Sequence, residues 1–178
     1  EAWTWFIETY GPLVRGFLRR QGLQEADATD VAQEVFMSVA ADIHGQASRR
    51  PGAFRKWLYT IVRNRISDYW RRHQRHPQGT GDTHAQKMLA EVAADAKQVE
   101  EEWDRAYLRH LFVKAANCVK GDFEAKTWQA FWRTSVDEES AQSVALELQL
   151  SVAAVYMAKR RVLKRIQQHI GFLEGVTK

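Results

Sequence analysis

The chain has 178 residues, 45% of them hydrophobic, with a formal net charge of +4 and a pI near 9.3. That is enough apolar material for one ordinary domain or two small ones, and a basic balance favours an acidic partner such as nucleic acid. Cys118 stands alone, which excludes an intramolecular disulfide and a thiolate metal cluster and fits a reducing, cytoplasmic setting. No apolar run reaches membrane-span length, so no membrane partner is expected. The chain opens at Glu1 without a methionine and already in helical period, which predicts a short native segment ahead of it.

Taken in chain order, nearly every segment has helical period and none alternates, which predicts an all-α fold. The first helix is expected over about Trp3 to Gln21, with Phe6, Tyr10, Leu13, Val14, Phe17 and Leu18 as its apolar stripe, a bend at Gly11-Pro12 and a stop at Gly22. A second helix runs from about Asp27 to Ile43. Here Asp27, Asp30, Gln33, Glu34 and Met37 share one arc, opposite Val31, Val35 and Val39. An acidic arc is unsuited to DNA and suited to a basic protein surface.

After a loop over 44–52 comes FRKWLYTIVRNRISDYWRR, Phe54 to Arg72. Leu58, Val62, Ile66 and Tyr69 fall on one side of this helix, while Lys56, Trp57, Arg63, Asn64 and Arg71 gather on the other. Between Arg49 and Arg75 nine Lys or Arg residues face one acid, Asp68, so the positive field is local. Cations track phosphates and an aromatic face stacks on an unpaired base, so this face suits a nucleic-acid strand. Arg65, Tyr69 and Trp70 project where packing is at least as well served.

The stretch from His73 to Gln86 lacks apolar period and reads as a linker. The expected division is therefore a first domain at 1–76, a flexible linker at 77–97 and a second domain at 98–178. The second domain starts with an acidic helix to Val119, carrying Trp103, Tyr107 and Leu111, followed by a short helix over Lys126 to Ser135. Ser140 to Leu148, then Gln149-Leu150, then a helix capped by Ser151 and running to about Ile170 has helix-turn-helix spacing.

On that last helix Ala153, Ala154, Tyr156, Met157, Arg160, Arg161 and Lys164 face away from the apolar arc. Small residues come first and cations later, as a recognition helix needs to approach base edges and then reach flanking phosphates. Gln149 occupies the turn position usually held by glycine, which predicts a non-glycine residue at positive φ. Lys159 points toward the apolar side and is expected to snorkel. A plain helical hairpin with the same cap is the alternative.

Three segments, DATDVAQEVF at 27–36, FRKWLYTIVRNRISDYWRR at 54–72 and SVALELQLSVAAVY at 143–156, resemble in order and separation the extracytoplasmic-function sigma factors of bacterial RNA polymerase. The resemblance implies a sigma-70 region 2 domain that holds the opened downstream promoter element, and a region 4 domain that reads the upstream element as duplex. It assigns Asp27, Asp30, Gln33, Glu34 and Met37 to the clamp helices of the polymerase largest subunit. Trp57 is placed at the edge of the opened duplex and Asn64 where a flipped base is captured, with Lys56, Arg63, Arg71 and Arg72 on phosphates. Ser151, Ala153, Ala154, Tyr156, Met157, Arg160, Arg161 and Lys164 would read the upstream element. Core polymerase and promoter DNA are the implied partners, and control by an anti-sigma factor or by a modification stays open.

Breaking DNA stacking costs about 1.4 kcal/mol per step, so a bubble of roughly ten steps costs on the order of 14 kcal/mol. Stacking on protein aromatics returns about 1–3 kcal/mol per base, and only Trp57 with one or two neighbours is placed to supply it. The isolated chain should not melt a promoter. A stand-alone helix-turn-helix regulator is the alternative function. An enzyme is not expected, because the six histidines are scattered without a carboxylate or cysteine at metal or nucleophile spacing. No cofactor or metal is implied.

Overall fold

Helix caps and apolar stripes set the architecture of the computed structural model, which describes residues 2–42, 53–75 and 96–175. Seven α-helices and one short 3-10 turn occur among the described residues, and no strand: α1 (Ala2–Arg20), α2 (Glu25–Asp42), α3 (Ala53–Arg75), α4 (Ala96–Val119), the 3-10 turn Lys120–Asp122, α5 (Ala125–Ser135), α6 (Ala141–Leu148) and α7 (Val152–Gly175). The loop expected over 44–52 lies outside the described residues. So does the 77–97 linker, except for its last two positions, which open α4. His73, read as linker from sequence, is in the last turn of α3. Its ring lies 4.0 Å from that of Tyr69, with Nδ1 3.1 Å from the Tyr69 carbonyl oxygen, and this packing carries the helix past the end of its apolar period.

The first compact unit spans residues 1–110 and takes in α1, α2, α3 and the first half of α4. The α1 stripe is buried as its spacing requires, with Tyr10, Val14, Phe17 and Leu18 fully enclosed. It meets α2, which in turn packs on α3. Val31, Val35 and Val39 of α2 and Leu58, Val62 and Ile66 of α3 complete this core. Pro12 lies within α1 without ending it.

Compact packing divides at 110/111, inside α4, and the sequence break lies earlier because the apolar period of this helix runs unbroken through both halves. Trp103 and Tyr107 belong to the first unit. Trp103 is fully buried, edge-on to Phe17 at 5.1 Å, and its indole N–H donates to the Arg55 carbonyl at 3.3 Å. Around it Arg55 meets Asp104 at 2.9 Å as a charge contact rather than an aligned hydrogen bond, and Arg20 meets Glu102 at 3.0 Å.

The second unit spans residues 111–176 and includes the rest of α4, where Leu111, Ala115, Ala116 and Val119 are buried. In this unit α5 packs on both α6 and α7. Its small-residue core of Ala130, Val144, Ala145, Val155 and Ala158 lets three helices approach closely. Arg165 of α7 pairs with Asp122 at 2.8 Å. Arg133, near the end of α5, reaches Glu139 and, at 2.7 Å, Glu147 of α6. Those two carboxylates raise the Arg133 pKa, and Arg133 in turn holds Glu139 below the usual glutamate range.

Candidate nucleic-acid interface

In the first unit the candidate surface is α3 and the edge of α2 beside it. Burial of Leu58, Val62, Ile66, Tyr69 and Trp70 fixes the rotation of α3, so Lys56, Arg63, Asn64 and Arg71 project to solvent as the sequence pattern requires. Trp57 is half-buried rather than free. Its ring packs at 5.6 Å from Phe54 and its N–H donates to Asp42 Oδ2 at 3.3 Å. Trp70 is buried edge-on to Tyr69 at 4.9 Å, and so packs rather than projects.

The arc grouped on α2 divides into two sets. Asp30, Gln33 and Met37 are exposed, Met37 by 65%. Asp27 and Glu34 instead border α3. The Tyr69 hydroxyl donates to Asp27 Oδ2 at 2.9 Å, and burial together with that bond pushes the phenol pKa well above its ordinary value. Arg72 Nη1 and Nη2 donate to Glu34 at 3.0–3.1 Å, which raises the guanidinium pKa further. Arg65 donates to Ser38 Oγ at 2.8 and 3.1 Å, and the Ser38 hydroxyl donates to the Glu34 carbonyl at 2.8 Å.

Ser38 and Asp42 thus join the surface although single-helix reading does not select them. The signal available was the polar row Asp27, Glu34, Ser38 and Asp42 along α2, spaced seven, four and four, facing Arg65, Tyr69 and Arg72, spaced four and three. Two positions with different assigned partners, Glu34 and Arg72, are brought into contact with each other.

In the second unit the candidate surface is the helix-turn-helix. Ser140 Oγ accepts from the Ser143 N–H at 3.1 Å and opens α6. Gln149 has φ 55° and ψ 48°, the left-handed conformation expected for this turn. Leu150 N–H bonds the Ala145 carbonyl at 2.8 Å and Gln149 N–H that of Leu146 at 3.3 Å, a Schellman ending sealed by Leu150 against the core. Ser151 Oγ then accepts from the Ala154 N–H at 3.1 Å and starts α7.

Along α7, Val155, Ala158, Val162 and Ile166 are buried, while Ser151, Ala153, Tyr156, Met157, Arg160, Arg161 and Lys164 are exposed and Ala154 is half-buried. Tyr156, Arg160 and Lys164 form one row at four-residue spacing, bordering a shallow groove with Lys159 and Gln167. Lys159 is half-buried with its neighbours on that groove, in keeping with a snorkelling chain. Among the described residues there is no group of three metal-ligating side chains, and no helix long and apolar enough to cross a membrane.

Residues 6–76 match the sigma-70 region 2 family, a span that contains α2, α3 and most of α1. The chain is similar to RNA polymerase sigma factor CarQ of Myxococcus xanthus, with 28% identity over 166 residues that cover 93% of this chain and 87% of that protein. No solved structure matches it. An all-helical fold among the described residues, the region 2 match and a relative aligned along almost its whole length together support a sigma factor of the extracytoplasmic-function type.

Proposed function

We propose that this chain is a sigma factor that binds core RNA polymerase through the exposed side of α2, captures an opened promoter strand on α3, and reads an upstream duplex element with α7. The observation that carries this reading is the α3 face. A core-locked helix presents Lys56, Arg63, Asn64 and Arg71 outward beside the ring of Trp57, within the segment that matches region 2. Cations there meet phosphates, the amide of Asn64 can hydrogen-bond a base edge, and the indole supplies a stacking surface.

Asp30, Gln33 and Met37 are the exposed members of the α2 arc, and the clamp helices of the largest polymerase subunit are the proposed contact. On α7, Arg160, Arg161 and Lys164 would hold phosphates while Ala153, Ala154, Tyr156 and Met157 approach bases. Nothing in this account requires bond-making chemistry by the chain. It acts by positioning polymerase, which supplies the contacts needed to offset the cost of opening.

Run-off transcription with purified core polymerase on a promoter library tests the proposal. The expected result is initiation at a defined subset of promoters that share an upstream and a downstream element. Absence of sigma-dependent initiation, with a dimer that binds duplex DNA tightly by itself, would favour a stand-alone regulator.

A further inference from the structure

Arg72 has both edges of its guanidinium occupied. Nη1 and Nη2 lie 3.0–3.1 Å from the Glu34 carboxylate, and Nε lies 3.4 Å from the Asp68 carbonyl oxygen. The guanidinium is a rigid planar fork, and it grips a phosphate through the same edges that grip a carboxylate. Arg72 therefore cannot hold a phosphate bidentately while Glu34 holds it. Glu34 is itself accessible, its side chain being 30% exposed at the border of the arc that carries Asp30 and Gln33. A basic surface docking on that arc reaches Glu34.

We propose that the Glu34–Arg72 pair is an exchangeable latch, in which a basic partner that takes Glu34 on α2 releases Arg72 for a nucleic-acid phosphate on α3. The latch rests on the reading of α3 as a strand-capturing face and adds to it a coupling between the two binding events. Coupling of this kind is reciprocal, so a bound strand that takes Arg72 also frees Glu34 for the protein partner. Solvent-exposed ion pairs set the scale at a change of about two- to fivefold in affinity, fading as salt rises.

The test is binding of a labelled oligo-dT strand to the full chain at low ionic strength, followed by fluorescence anisotropy. Glu34→Gln should tighten binding about two- to fivefold, and the gain should vanish in the Glu34→Gln, Arg72→Gln double variant. Asp30→Asn removes the same charge from the same helix at an exposed position and should give a smaller gain. Equal gains from Glu34→Gln and Asp30→Asn, or a gain that survives without Arg72, would overturn the latch. Lys56→Ala with Arg63→Ala separates the two levels of the account. If that variant weakens binding and the Arg72 dependence is missing, the latch alone fails; if it has no effect, or no form of the chain binds the strand, the α3 reading fails and the latch with it.

Discussion

Arg65 and Arg72 in the first unit reach across to Ser38 and Glu34, and Trp57 reaches to Asp42, whereas Arg160, Arg161 and Lys164 in the second unit stand on α7 with no carboxylate partner among the described residues. On the proposed reading, the α7 face is open to immediate contact. Its backbone is fixed at the start by Ser151 and along the helix by a buried arc, and Arg165 is tied back to Asp122, so the outward cations are free to meet a duplex backbone. On α3 only part of the charge is available at once. A strand offered to this face must compete with internal acceptors, which makes its capture conditional and weaker than a count of cations implies.

The largest disturbance should come from the aromatic packing of the first unit. Trp103→Ala removes a fully buried indole and is expected to cost about 3–5 kcal/mol. Hydrogen exchange should then show lost protection in residues 1–110 with protection of α5 to α7 retained; uniform loss would mean the units do not differ in this way. Next in size is DNA binding by the second unit. Arg160→Ala with Arg161→Ala should lower the salt slope of duplex binding by about two, one for each lost phosphate contact, whereas Arg72→Ala should leave that slope unchanged.

Smaller effects probe how rigidly the α7 face is set. Ser151→Ala should cost about 1 kcal/mol by removing the cap, and Gln149→Gly should stabilise the unit by about 0.5–1 kcal/mol by relieving the left-handed strain, both read from urea unfolding. The smallest contrast is in pH dependence. Because Arg133 depresses the Glu139 pKa, the stabilisation from that contact is present above the ordinary glutamate value of 4.5 and lost as pH falls below it. Because burial and the bond to Asp27 raise the Tyr69 pKa, the stabilisation there is present below 10 and lost as pH rises beyond it. Thermal melts should therefore weaken in acid for a reason removed by Arg133→Gln, and in alkali for a reason removed by Tyr69→Phe.

Features encoded within one helix were legible before any coordinates. The α1 stripe, the Ser151 cap, the left-handed Gln149 and the rotation of α3 follow from period and local chemistry, and all are present in the structure. Pairing between helices was not. Glu34, read alone, is one more acid on a polar arc, and Arg72 one more cation; only the packing of α2 on α3 shows that they satisfy each other. The double membership of α4 was hidden for a related reason, since a continuous three-to-four stripe from Trp103 to Val119 gives no sign that its early residues fill a different core from its later ones.

Strand capture by α3 is the central claim, and Trp57 tests it most directly. Holoenzyme reconstituted from core polymerase with Trp57→Ala should keep its initial binding to duplex promoter DNA and lose permanganate reactivity of thymines in the opened region. Equal loss at both steps, or a normal open complex, would contradict it.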